Sequence, residues 1–163
     1  MQLLTERLRI VPLTLPQLDS WLHAVPALER ELGCRCPAPP CGEFGRIVEG
    51  QRTVATGDAE HYLFHTFWLL IERAGNEVVG SACFKGTPNA DGEIEIGYGL
   101  EPGWEKQGYM TEAVRALCAW AGQQPGVRHV TAETAPDNLA SQRVLQRAGF
   151  SPCESGTSRW WRR

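Results

Sequence analysis

The sequence predicts a mixed α+β fold, and three observations carry that prediction. In Glu93–Leu100 the apolar residues Ile94, Ile96 and Tyr98 fall at every second position, with Glu93, Glu95 and Gly97 on the other face, which is the period of a strand. After Gly108 the apolar positions Met110, Val114, Leu117, Cys118 and Ala121 recur at helical spacing along one face. Strands precede and follow this helix. Those before it are joined by turns and should pair antiparallel, whereas the one after it is reached through a helix, the favoured route to a parallel neighbour.

The elements follow in order. Residues 8–11 have the apolar, β-branched character of a short strand, which Pro12 ends or holds at an edge. Thr14 caps a helix with Pro16 in its first turn and an apolar face of Leu15, Leu18, Trp21, Leu22 and Val25. Pro26 interrupts or restarts it, and residues 27–32 form a second short helix ended by Gly33. From residue 33 to 57 the pattern dissolves among prolines and cysteines, so loop is expected, with room for one short helix. Strand 67–71, the turn Ala74-Gly75-Asn76 and strand 78–84 read as a hairpin, and the turn-rich residues 86–92 lead into Glu93–Leu100. After the helix over 111–123, residues 129–135 alternate again. Pro136-Asp137-Asn138 then turns into a helix over 139–148 that Gly149 ends, and the tail through Trp160 and Trp161 adds a last edge strand.

Length and composition narrow the function. The 163 residues fit one domain, with 42% hydrophobic and 21% charged residues, near ordinary globular values, so disorder is not expected. A net charge of −3 argues against a nucleic-acid partner, whose binding needs phosphate neutralisation. No apolar run approaches a membrane span, and the opening MQLLTERLRI carries charges where a signal peptide needs its apolar core; the expectation is a cytoplasmic protein with no membrane partner. The six cysteines are then expected to be reduced, with Cys83 and Cys118 at core positions. Cys34, Cys36 and Cys41 invite a metal reading completed by His61 or His65. The C-x-C-x₄-C spacing is not a standard zinc pattern, however, and free thiols in a mobile loop are expected instead.

Two stretches offer candidate sites. A helix starting after Gly108 points unpaired amide N–H groups outward with the positive end of its dipole behind them, which suits an anion, and Gly108 can take a positive φ and let a ligand approach the backbone. An ordinary helix start with Thr111 and Glu112 in its first turn fits the same residues. Neither G-x-x-x-x-G-K-[ST] nor G-x-G-x-x-G occurs, which disfavours another kind of nucleotide site. His61, His65 and Trp68 belong to an aromatic, polar-tipped cluster. Packing against the core is the first expectation for it, with a catalytic histidine and a substrate-contacting wall as the functional alternatives.

Three separated pieces resemble one family, the GNAT superfamily of acetyl-CoA-dependent N-acetyltransferases. LLTERLRIVPLTLPQLD is similar to the start of the branch that includes ribosomal-protein N-terminal acetyltransferases. EIGYGLEPGWEKQGYMTEA resembles its strand and pyrophosphate loop, and DNLASQRVLQRAGF its N-x-x-S helix closed by Gly-Phe. The resemblance covers nearly the whole chain in the family's order. It implies a mainly antiparallel central sheet with flanking helices and a splayed V between the two central strands, with acetyl-CoA as cofactor. The pyrophosphate would lie on the backbone of Lys106, Gln107, Gly108, Tyr109, Met110 and Thr111, with Lys106 and Arg143 as side-chain helpers. The pantetheine arm would run along Tyr98 to Leu100, bonded by Asn138, with Ser141 near its sulfur. Two positions depart from the pattern. Glu105 and Lys106 stand where Gln or Arg and then Gly are usual, with Glu105 expected to face solvent, and Leu145 stands where the superfamily often carries a tyrosine acid.

The implied reaction is acetyl transfer to a primary amine, of a small molecule or a protein N-terminus, by direct attack in a ternary complex. A neutral amine needs a base, for which Glu95 is the candidate, and Ser141 is the named replacement for the missing acid; a solvent-facing strand carboxylate and an ordinary first-turn serine fit the same two residues. A strand-end N–H between Tyr98 and Leu100 would stabilise the thioester oxygen. The alternative is a non-catalytic acyl-CoA-binding or regulatory module. The acceptor pocket is expected from residues 33–68, in a monomer or homodimer.

Overall fold

The computed structural model describes residues 1–153 and 159–163. Eight strands form one sheet: β1 (Leu3–Leu4), β2 (Leu8–Pro12), β3 (Phe67–Glu72), β4 (Glu77–Phe84), β5 (Glu93–Leu100), β6 (His129–Thr134), β7 (Ser151–Cys153) and β8 (Arg159–Arg162). Their order is β1-β2-β3-β4-β5-β6-β8-β7, antiparallel throughout except where β5 runs parallel to β6. Six α-helices accompany it: α1 (Leu15–His23), α2 (Val25–Leu32), α3 (Gly42–Gly57), α4 (Tyr62–His65), α5 (Tyr109–Ala121) and α6 (Leu139–Arg147).

Strand alternation sorts the core onto the two faces of the sheet. Leu8, Ile10, Trp68, Leu70, Ile94 and Ile96 pack with Val114 and Leu117 of α5 and Leu145 of α6. Val11, Phe67, Leu69 and Ile71 pack with Leu18 and Trp21 of α1, Leu28 of α2 and Val48 of α3. Thr14 caps α1 through the expected residues, its hydroxyl accepting from the Gln17 amide while the Gln17 side chain accepts from the Thr14 amide. Gly80 of β4 is required by close approach: a Cβ there would meet the Gly99 carbonyl oxygen at 2.3 Å.

Two expectations need correction. Residues 33–57 are not mainly loop, since α3 fills 16 of them. Four glycines, at 42, 45, 50 and 57, mask that helix in the sequence. Tertiary packing holds it, with Val48 and Ala55 fully buried and Phe44 set edge-on against Trp21 and Phe67. The Trp160–Trp161 strand, β8, is interior rather than an edge; β7 folds back outside it and takes the edge. Burying Trp161, whose Nε1 donates to Thr134 Oγ1 at 3.0 Å, fixes that order. Among the described residues, no helix is long and apolar enough to cross a membrane.

Candidate functional site

The site begins with a fork in the sheet. β4 follows β5 from Ile96 to Leu100, but β6 pairs with β5 only at Glu93, Ile94 and Glu95. Beyond Glu95 the two central strands diverge, and the β5 edge from Ile96 onward has no strand beside it on the β6 side. Tyr98 reaches across the gap toward α6, its hydroxyl 2.9 Å from Ser141 Oγ. Burial pushes the Tyr98 phenol above its ordinary value of 10.0, with the Ser141 hydrogen bond pulling the other way.

A cavity of about 790 Å³ opens here. Nine of the eleven cofactor candidates line it: Tyr98, Leu100, Lys106, Gly108, Met110, Thr111, Asn138, Ser141 and Arg143. Arg147 adds a third cation. Gln107 and Tyr109 turn elsewhere. The Gln107 side chain donates back to the Gly103 carbonyl at 3.1 Å, and the buried Tyr109 ring packs edge-on against Trp104. Asn138 spends its side-chain oxygen capping α6, accepting from the Ser141 amide at 3.1 Å, which leaves its NH₂ for a ligand. Glu105 is exposed but also lines the cavity, at its rim beside Lys106, with its carboxylate accepting from the Gly103 amide at 2.8 Å.

The loop before α5 presents its backbone to this cavity. Lys106 and Gly108 both take left-handed φ, +62° and +85°. For Lys106 that conformation costs roughly 1–2 kcal/mol, a strain typical of ligand-holding turns. Among the described residues, no group accepts from the backbone amides of Lys106 through Thr111. Unpaired amides and a helix N-terminus directed into a cavity with three cations form an anion cradle.

Sequence reasoning missed the residue that braces this cradle. Arg7 donates from Nη1 to the Gln107 carbonyl and from Nε to Glu112 Oε2, both at 2.8 Å, and its guanidinium lies 4.4 Å from the Tyr109 ring centroid. Glu112 also accepts from Thr5 Oγ1 at 2.6 Å and from the Arg7 amide at 2.8 Å. Burial would raise the Glu112 carboxyl, but these hydrogen bonds more than offset it and hold the group below its ordinary range. The available signal was the Thr5-Glu6-Arg7 segment, whose partner lies more than a hundred residues away.

Glu95 stands at the apex of the fork, facing away from α5, where a second cavity of about 450 Å³ opens. Lys85, Glu93, Thr131, Cys153, Trp160 and Arg162 line it with Glu95. Lys85 ion-pairs with Glu95, and Arg162 Nη1 approaches Glu93 Oε1 at 3.3 Å. Exposed pairs of this kind are worth about 0–1 kcal/mol. This pocket is built from the β4–β5 connection and strands β5 to β8, and none of residues 33–68 line it.

The proposed substrate wall does not form. Trp68 is fully buried, its Nε1 donating to the Leu63 carbonyl and its ring 4.8 Å from that of Trp120. His65 is buried and His61 half-exposed. They share the carboxylate of Asp58, His61 Nδ1 at 2.9 Å and His65 Nε2 at 3.0 Å, and line none of the cavities described above. In the cysteine segment, Cys34 and Cys36 sulfurs lie 3.8 Å apart, and the contact with Cys36 draws the Cys34 thiol below its ordinary value. Burial pushes the Cys83 and Cys118 thiols up to about 11.

Comparison with known proteins agrees with this fold. A family model described as an acetyltransferase (GNAT) domain matches residues 7–151. The uncharacterized N-acetyltransferase YjdG of Bacillus subtilis (strain 168) is 30% identical over 147 residues, covering 90% of this chain and 87% of that protein. Among solved structures, a ribosomal-protein-S5-alanine acetyltransferase from Vibrio fischeri superposes with a TM-score of 0.69 at 12% identity, over 100% of this chain and 96% of the other. RimL, a ribosomal L7/L12 α-N-protein acetyltransferase in complex with coenzyme A, gives 0.66 at 18% identity, over 98% and 94%. At those identities the superpositions speak for the fold alone. With the family match across most of its length, this chain belongs to the GNAT family of N-acetyltransferases, enzymes that draw their acetyl group from acetyl-CoA.

Proposed function

We propose that this acetyltransferase modifies a primary amine by direct attack in a ternary complex, the donor occupying the α5–α6 side of the fork and the acceptor the Glu95 side. The observation that carries the reading is the set of unpaired amides at Lys106, Gly108, Met110 and Thr111, residues that line the same cavity as Tyr98 to Leu100 of the unpaired β5 edge, with Glu95 at the apex of the fork. The residues fit the donor: the amides, Lys106, Arg143 and Arg147 suit a diphosphate, and the free β5 edge from Ile96 to Leu100 suits an amide-containing arm that hydrogen-bonds like an added strand. Acetyl-CoA supplies an activated thioester.

The chain's own groups manage the protons. Glu95 takes one from the incoming ammonium, freeing the nitrogen lone pair to form the new C–N bond, and the nitrogen's second proton leaves to solvent as the tetrahedral adduct collapses. As the C–S bond breaks, the Tyr98–Ser141 hydroxyl pair hands a proton toward the sulfur; burial keeps the phenol protonated through neutral pH. An unpaired β5 amide between Tyr98 and Leu100 supports the negative charge gathering on the carbonyl oxygen.

Initial-velocity kinetics with thiol release as the readout test this. Intersecting lines are expected. Glu95→Gln should lower kcat by about 10² to 10⁴ with the Kd for coenzyme A unmoved. Parallel lines would indicate an acyl-enzyme, and an unchanged kcat in Glu95→Gln would remove the base.

A further inference from the structure

On the sheet face opposite α5, four side chains form a row across four strands. Lys85 follows β4, its amide donating to the Glu95 carbonyl at 2.9 Å; Glu95 on β5 lies beside Thr131 on β6, and Thr131 beside Arg162 on β8. All four line the smaller cavity. Register therefore fixes a sequence of cation, carboxylate, hydroxyl, cation. With neighbouring strands about 4.8 Å apart, the backbone of Arg162 stands about 10 Å from that of Glu95. Glu93, two residues before Glu95 on the same face, holds Arg162 loosely at 3.3 Å.

Building on the reading of this cavity as the acceptor site, we propose that the acceptor is a small zwitterion, a primary amine that also carries an anionic group. Its ammonium exchanges with Lys85 for Glu95 at the fork, and its anion exchanges with Glu93 for Arg162. Both internal pairs are partly solvent-screened, with Lys85 48%, Arg162 46%, Glu93 29% and Glu95 22% exposed, which lowers the cost of the exchange. The charges also reject other amines. A diamine or polyamine could take Glu93 with its second ammonium only by leaving both Lys85 and Arg162 as unpaired cations, whereas a zwitterion frees one charge of each sign; an apolar amine strips water from four charged groups while pairing with only one. Trp160 supplies the one broad flat wall, against which a short carbon skeleton can lie.

The test uses the full-length enzyme, saturating acetyl-CoA and a panel of free α- and ω-amino acids, each beside its carboxamide and its decarboxylated amine. At least one free acid should be acetylated with kcat/KM tenfold or more above its carboxamide. Arg162→Gln should erase that ratio by raising KM for the acid, Arg162→Lys should restore part of it, and Arg162→Glu should shift preference toward the diamine cadaverine. Equal use of acid, amide and amine, a ratio that survives Arg162→Gln, or turnover of none of the free acids would each overturn the inference. Coenzyme A titrated calorimetrically into the same variants separates the failures. Retained binding with no acid preference sinks the zwitterion alone, whereas an effect of Glu95→Gln on coenzyme affinity rather than turnover sinks the reading of the site beneath it.

Discussion

Arg7→Ala should damage cofactor binding through a residue set apart from the cavity's main lining. The substitution removes two charged hydrogen bonds, to Glu112 and to the Gln107 carbonyl, both 2.8 Å, and the guanidinium stacked 4.4 Å from Tyr109. A hydrogen bond to a charged group is worth about 1.5–3 kcal/mol, but Arg7 is 38% exposed, so about 1 kcal/mol each is the screened figure. The stacking adds about 0.5–1 kcal/mol. A total of about 2–3 kcal/mol lowers Tm by about 5–10 °C in a chain of this size. The freed Gln107 carbonyl also lets the cradle turn its amides away. Coenzyme A affinity should fall about 5- to 30-fold, a loss of 1–2 kcal/mol. Calorimetric titration with coenzyme A, paired with thermal melts, reads both effects, and Arg7→Lys, which keeps the charge but not the fork, should fall between. If Tm drops while Kd stays within twofold of wild type, Arg7 merely tethers the N-terminal strand and the bracing argument is wrong.

Two further predictions concern protons. Tyr98→Phe should cut kcat by about tenfold or more while sparing coenzyme affinity, and Ser141→Ala should do less, because the phenol remains; wild-type turnover in Tyr98→Phe would exclude it as donor. Asp58 joins α3 to α4 through His61 and His65. Hydrogen bonds from His61 and then His65 hold its carboxyl below 3.8, so that contribution is present above pH 3.8 and lost as pH falls through the lowered value. The Asp58 hydrogen bond raises His61 above 6.5, so its contribution is full below pH 6.5 and lost as pH rises through the raised value. The Tm difference between wild type and Asp58→Asn should therefore peak between these limits. A difference that stays flat from about pH 5 to 9 would refute the latch.

What the sequence disclosed followed from local periodicity. The β5–α5 unit was legible because Ile94 and Ile96 alternate and the α5 apolar stripe is continuous, and the amides after residue 105 follow from any helix start behind a glycine. α3 was illegible because its glycines remove the local helix preference, and only contacts with Trp21 and Phe67 restore it. The interior place of β8 depends on Trp161 meeting Thr134, which no local pattern encodes. In the site, the pairs that matter are remote in sequence: Arg7 with Glu112, Tyr98 with Ser141, Glu93 with Arg162. Position 145 shows the same limit, since buried Leu145 packs in the core while a phenol arrives from β5 instead.

Among the described residues, three strand-paired residue pairs join β1–β5 to β6–β8 across the parallel seam. A donor arm hydrogen-bonded along the open edge would lengthen that seam with ligand atoms, turning a short weld into a long one. Bound in that way, the coenzyme would be a structural member of the sheet as well as a reagent, and saturating it should slow amide exchange in both halves at once, including strands it never touches.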